Sequence, residues 1–189
     1  MLILPNAELF FQSDFMTVAE SEKLYQHLID FLPWQQQQIK IFGKVMNCPR
    51  LEAFFATDGK SYGYSGNQLI TNEFTPELRA IKERVEKIAN TEFNAVLVNY
   101  YRDGNDSNGW HADNEKELGK NPIIASLSLG ATRRFDLKHT TLGIKQQFQL
   151  SAGSLLIMAG ETQHYWKHQL AKSKKVVNGR INLTFRTIQ

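Results

Sequence analysis

From Asn94 onward the chain breaks into short apolar segments: "NAVLVNYY", "IIASLSLG", "RRFDLKH", "QQFQL", "SLLIM" and "RINLTFRTI". Gly, Asn and Thr punctuate them, and no long helical pattern lies between them. Six or more short strands in succession predict an antiparallel sandwich or barrel. The first half carries helical signals instead. In "TVAESEKLYQHLIDFLP", Thr17 and Glu20 have capping-box spacing, Leu24, Leu28, Phe31 and Leu32 share one side, and Pro33 stops the helix. "TPELRAIKERVEKIAN" offers Thr75 as N-cap, Pro76 at the first helical position, and a stripe of Leu78, Ile81, Val85 and Ile88. Between the helices, "QIKIFGK" and "SYGYSG" predict short strands with turns. The expected class is α+β, with a jelly-roll-like β core and helices against the outside of its sheet.

At 189 residues and 22% charged, without repeats, low-complexity tracts or an obvious linker, the chain is expected to form one domain. A lone cysteine, Cys48, precludes an intrachain disulfide and suits a reducing, intracellular compartment, the cytoplasm if the source is bacterial. "MLILPNAELF" is apolar for only four residues before Pro5 and lacks a basic leader, so no signal peptide is expected. No segment approaches the roughly 18 apolar residues of a membrane span. The net charge of +3 permits a polyanionic partner without requiring one.

"GWHADNE" sets His111 and Asp113 two apart in polar surroundings, just after an apolar run. A metal there demands a third ligand on a distant strand that returns to the same place. His139, His164 and His168 lie downstream, and the last two both follow "SLLIM" and the turn "AGET". Two histidines and a carboxylate leave three coordination positions open, the arrangement of non-haem Fe(II) oxygenases. An HxD pair also arises by accident. One histidine packed on Trp166 or Tyr165 and the other solvated would be the ordinary alternative.

The last strand adds weight. Alternation puts Arg180, Asn182, Thr184 and Arg186 on one face of "GRINLTFRTI", and Ile181, Leu183 and Phe185 on the other. Either the arginines face water, or they line a cavity that holds anions, a role for which the planar guanidinium fork is suited. Their Cα atoms are roughly 20 Å apart along a strand. Their arms would therefore meet different parts of one ligand, as a dicarboxylate beside a metal requires.

With these residues in view, the chain resembles the AlkB family of Fe(II)- and 2-oxoglutarate-dependent dioxygenases, especially its eukaryotic-type DNA and RNA demethylase branch. The resemblance runs through "DFLPWQ", "IFGK", "CPRLEAFF", "YGYSG", "NYYRDGNDSNGWHADNE", "NPIIASLSLGATRRFDLKH", "GSLLIMAG", "WKHQL" and "RINLTFRTI". It implies a double-stranded β-helix core in a single domain over 1–189, with helices and a nucleotide lid in 1–93 and the jelly roll in 94–189. It implies His111, Asp113 and His168 as iron ligands, and Asn99, Tyr101, Arg180, Asn182 and Arg186 as the 2-oxoglutarate site. O2 would be the cosubstrate.

For substrate, the resemblance implies Phe42 as a wedge in the gap left by an extruded base, and Tyr62 and Tyr64 as pocket walls. Trp34 is a further stacking candidate. A methyl group on a base's pairing edge is inaccessible inside a duplex, so the base must leave the stack. Lys44 and Arg50, interleaved with these aromatics, are expected to meet phosphates. The family's acidic residue after the metal aspartate is Asn114 here, followed by Glu115; both are expected near the substrate. The implied activity is oxidative demethylation of 1-methyladenine- or 3-methylcytosine-type bases in DNA or RNA, by a monomer without an obligate protein partner or membrane contact. The alternatives are the same iron chemistry on a protein or small molecule, and a non-catalytic nucleic-acid-binding relative.

Overall fold

The computed structural model describes residues 2–41, 43–57, 59, 63–64 and 67–189. The chain opens with β1 (Leu2–Leu4) and β2 (Ala7–Gln12), an antiparallel hairpin turning at Asn6, whose φ of 56° lies in the left-handed region. Helix α1 (Val18–Phe31) follows, then β3 (Gln38–Ile41), β4 (Lys44–Asn47), β5 (Leu51–Ala56), β6 (Gly63–Tyr64), β7 (Asn67–Gln68) and β8 (Thr71–Asn72). Helix α2 (Pro76–Ala89) leads into β9 (Ala95–Tyr101), β10 (Asn108–His111) and a 3-10 turn (Lys116–Leu118). The remainder is β11 (Ile124–Gly130), β12 (Arg133–His139), β13 (Lys145–Leu150), β14 (Leu155–Ala159), the one-turn α3 (Thr162–Tyr165), β15 (Trp166–Leu170) and β16 (Arg180–Arg186).

Two sheets carry the architecture. The larger has the order β1-β2-β14-β11-β16-β9-β5-β8, and the smaller β10-β15-β12-β13. Non-sequential neighbours such as β14-β11-β16-β9 give the jelly-roll wrapping. Pairing is antiparallel except between β5 and β8. One core fills the space between the sheets, with Leu97, Tyr101, Ile124 and Leu156 of the larger meeting Phe135, Leu137, Trp166 and Leu170 of the smaller. A second core joins the opposite face of the larger sheet to both helices. There Leu24 and Leu28 of α1 and Leu78, Ile81 and Val85 of α2 cluster with Val96, Val98, Leu127, Ile181, Leu183 and Phe185. Each such large apolar side chain contributes about 1.5–3 kcal/mol on burial.

The helices form where their caps predict. Thr17 and Glu20 make the reciprocal capping box, and Thr75 accepts from the Leu78 N–H with Pro76 opening α2. Phe31 is a correction: it is exposed, its ring 4.8 Å from that of His27, its i−4 neighbour on the helix surface. Ile88 at the end of α2 is exposed as well. The division expected at residue 93 is crossed by the larger sheet, which takes β1, β2, β5 and β8 from before it. Hydrogen-bonded strand order follows spatial neighbours, and these segments dock on strands from the second half.

Strand β16 is central, flanked by β11 and β9, and every residue in it is buried. Its apolar face meets the helices. Arg180, Asn182, Thr184 and Arg186 face the space between the sheets, where a cavity opens. The two readings of that strand are thereby resolved in favour of the cavity.

Candidate metal centre

Strands β10 and β15 pair antiparallel so that His111 stands opposite His168. In β15, Trp166, His168 and Leu170 point inward and are buried, while Lys167 is exposed. Asp113 follows two residues after His111 and is buried; its N–H donates to Oε1 of the buried Gln163 at 3.0 Å. The ligating atoms of His111, Asp113 and His168 all lie within 4.8 Å of one another. The two Nε2 atoms are 3.1 Å apart, and His111 Nε2 is 3.8 Å from Asp113 Oδ1.

The donor set fits a divalent cation. His111 Nδ1 lies 2.7 Å from the Gly109 carbonyl, which can only accept, so Nδ1 carries the proton and Nε2 the lone pair. Burial, reinforced by His111, pushes His168 down to about 3, so its imidazole is neutral at ordinary pH. Burial alone would raise Asp113, but the Arg186 guanidinium at 3.6 Å, then His168 and His111, hold its carboxyl below the usual range. Two lone pairs and an anionic oxygen thus converge in a largely buried site that reaches solvent at His111, an arrangement that leaves three coordination positions free. His164 stays outside, exposed and bonded to Asn121 Oδ1 at 2.9 Å. His139 Nδ1 accepts from the Thr141 and Leu142 N–H groups, at 3.2 and 3.1 Å, in the β12–β13 turn. The open choice between histidines falls to His168.

The cavity beside this cluster has about 50 Å³ of water-accessible volume and is lined in part by Asn99, Tyr101, Ser126, Arg180, Asn182 and Arg186. Across β16 and β9, Arg180 stands opposite Tyr101 and Asn182 opposite Asn99. Arg180 Nη2 donates to Ser128 Oγ at 2.9 Å and to Asn182 Oδ1 at 2.8 Å. Its Nε is buried without a hydrogen-bond partner, and among the described residues it has no ion pair. Burial pushes Arg180 down to about 10, and the Tyr101 hydroxyl is itself raised by burial. A buried cation in that condition calls for an anion.

Two expectations are corrected. Arg50 is buried, held to Glu52 at 2.7 Å, with its Nε donating to Asn99 Oδ1 at 2.9 Å. It lines the cavity and cannot meet a phosphate on the surface. Trp34 packs on the helix-side core, its Nε1 donating to the Leu28 carbonyl at 3.2 Å and its ring 5.5 Å from Tyr100. It closes the end of α1, where carbonyls need donors, instead of presenting a stacking face. Asn114 is exposed, and Glu115, at the start of the 3-10 turn, is half-buried with its Oε2 lacking a partner. Phe42 and Tyr62 lie outside the described residues. Tyr64 and Lys44 belong to β6 and β4, but their side chains lie outside the described set too.

Sequence reasoning missed Arg133 and Gln163. Arg133 is buried and donates to the carbonyls of Asp103, Asp106 and Ala171 at 3.0, 2.9 and 2.8 Å. It ties the loop before β10 to the end of β15, the two strands that carry the histidines. Its position inward on β12, next to outward-facing Arg134, was the available signal.

Two antiparallel sheets closing on neutral imidazoles, a carboxylate and an unneutralised arginine define the class of non-haem metal oxygenases with an anionic cosubstrate. Residues 8–186 match the family model of the 2OG-Fe(II) oxygenase superfamily. The DNA oxidative demethylase ALKBH2 of Mus musculus is 36% identical over 181 residues, covering 90% of this chain and 76% of that protein. The alpha-ketoglutarate-dependent dioxygenase alkB homolog 3 of Homo sapiens is 36% identical over 184 residues, covering 92% of this chain and 64% of that one. The structure of OsALKBH1 superposes with a TM-score of 0.65 at 17% identity, covering 99% of this chain and all of the other, which supports the fold. The chain belongs to the 2OG-Fe(II) oxygenase superfamily and, within it, to the AlkB family. Fe(II) and 2-oxoglutarate are the cofactors of that family, with O2 as cosubstrate, and the His111–Asp113–His168 cluster fits the iron-binding triad. The chain spans about two thirds of the length of the relatives it matches. No helix among the described residues is long and apolar enough to cross a membrane.

Proposed function

We propose that this protein oxidatively demethylates N-alkylated bases of the 1-methyladenine and 3-methylcytosine type in DNA, releasing formaldehyde with succinate and CO2. The observation that carries the chemistry is the His111–Asp113–His168 cluster, with Asp113 and His168 buried and His111 half-buried, opening onto a cavity with an unneutralised Arg180. The substrate class is supported by relatives named DNA oxidative demethylases that match nine tenths of the chain.

His111, Asp113 and His168 would hold the iron, which with 2-oxoglutarate and O2 would supply the oxidising chemistry for hydroxylating an N-methyl group. Arg186 keeps Asp113 ionised, so its carboxylate is an anionic donor before metal arrives. Gln163 fixes the Asp113 backbone, and the Gly109 carbonyl fixes the His111 tautomer. Arg180 would take the distal carboxylate of 2-oxoglutarate, aided by Asn99, Tyr101 and Asn182, which line the same cavity. Phe135, Leu97, Met158 and Leu170 supply the apolar wall that keeps water from the reacting centre. Asn114 and Glu115, which follow Asp113 in the chain, would bear on which base is preferred. A reducing intracellular compartment is consistent with the chain's single, buried Cys48.

The test is conversion of 1-methyladenine to adenine in deoxyoligonucleotides, followed by mass spectrometry, with Fe(II), ascorbate and with or without 2-oxoglutarate. Conversion that requires 2-oxoglutarate is expected. Turnover of 2-oxoglutarate to succinate with every methylated oligonucleotide left intact would move the substrate to a protein or small molecule.

A further inference from the structure

The outer face of the smaller sheet has no part in the chemistry above. In its register Lys138 stands directly opposite Lys145 of β13 on one side and opposite Lys167 of β15 on the other. Three lysines therefore form a row across three adjacent strands, spanning about 10 Å. Lys145 and Lys167 are exposed, and among the described residues none of the three has an ion pair. The acid on this face, Asp136, is already neutralised by Arg134 at 3.0 Å. Like charges directly opposite one another destabilise a sheet, so the row weakens the free protein. It ends at Trp110, 38% exposed, with the Lys138 ammonium 4.2 Å from its ring centroid. Trp110 immediately precedes His111.

We infer that this row carries the phosphodiester backbone of a nucleic-acid strand past the metal centre, with Trp110 as the base-stacking platform at its near end. The inference rests on the nucleic-acid reading of the site and adds a surface to it. Phosphates neutralise the opposed ammonium groups and turn an unfavourable row into a favourable contact. An aromatic face accepts any base, so the contact is independent of sequence. Trp110 precedes His111 in β10 but faces the lysine row on the outer side of the sheet; its indole has a use with a nucleic-acid strand and none with an acidic peptide, which has no base to stack on it.

The test compares the full chain with Lys138→Gln/Lys145→Gln/Lys167→Gln and with Lys145→Gln/Lys167→Gln, which preserves the Lys138–Trp110 contact. Each is loaded with Mn(II) and 2-oxoglutarate. Binding of fluorescein-labelled single- and double-stranded deoxyoligonucleotides is titrated by anisotropy across a salt series. In the triple variant the slope of log K against log salt should become shallower by about 2 to 3, and in the double variant by about 1 to 2. The triple variant should also melt at a higher temperature than the native chain at low salt without nucleic acid. Unchanged slopes with tight oligonucleotide binding would overturn the inference and leave lysines that only guard the edge strand β13. Equal loss of polyglutamate and oligonucleotide binding would assign the row to acidic protein, also against it. If the native chain binds no oligonucleotide at all, the proposed function fails and the inference with it.

Discussion

Replacing Arg180 by Met removes one charge from the centre of the larger sheet while keeping much of the side-chain volume. Arg180 is 2% exposed, and its depression from the ordinary guanidinium range to about 10 corresponds to about 3 kcal/mol of unfavourable burial for the charged form. The folded state disfavours the proton, so this penalty is in force at every pH below about 10. Against its removal stand two lost hydrogen bonds from the guanidinium, to Ser128 Oγ and Asn182 Oδ1, worth together about 3–6 kcal/mol. Asn182 Oδ1 keeps the Ser126 hydroxyl at 2.8 Å. The ligand-free variant should therefore fold, with a stability between that of the native chain and about 3 kcal/mol below it. Its affinity for 2-oxoglutarate should fall by about 10- to 150-fold, the loss of a hydrogen-bonded charge contact of about 1.5–3 kcal/mol. Calorimetric titration of the Mn(II)-loaded protein with 2-oxoglutarate reads the second quantity, and urea unfolding the first. An affinity within twofold of native would refute the assignment of Arg180 to the distal carboxylate. Loss of folding with intact affinity in the surviving fraction would make it a structural residue.

Asp113→Ala and His111→Ala should each abolish turnover and Mn(II) binding while near-native circular dichroism persists; undiminished activity in either would sink the metal assignment. His168 is depressed to about 3, so the unfolded chain binds its proton below about 6.5 and the folded one does not. The metal-free protein should accordingly lose stability as pH falls from about 6.5 toward 3, and His168→Asn should flatten that loss in urea midpoints taken across the window. Asp113 pulls in the same direction below its ordinary 3.8. Arg133→Met should cost about 2–3 kcal/mol in denaturant unfolding, since one buried and two partly buried carbonyls lose their donor. A loss under 1 kcal/mol would show that the loop before β10 is held by other contacts.

What the sequence disclosed follows from which signals are local. Thr17 with Glu20, and Thr75 with Pro76, announce helix starts because capping acts within one turn. The alternation in β16 separated its arginine face from its apolar face for the same reason. Strand pairing is not local, and there the reading ran out. Nothing in "WKHQL" or "TQHY" distinguishes His168 from His164 by spacing; the opposition of His111 and His168 across β10 and β15 does. Strands β1, β2 and β5 went unread because a short apolar run has no period to separate it from a buried helix or loop. Arg50 was taken for a surface cation, although Glu52, two residues on and so on the same strand face, was a legible partner. The lysine row emerges only from register, since Lys138, Lys145 and Lys167 are scattered in the chain.

The coupling ratio puts the central claim to the most direct test: formaldehyde released per succinate formed, measured in one reaction with Fe(II), O2, 2-oxoglutarate and DNA carrying 1-methyladenine. A ratio near one, falling to background in His111→Ala, is the predicted result. Succinate without formaldehyde would contradict the account, leaving an oxygenase whose substrate is not a methylated base.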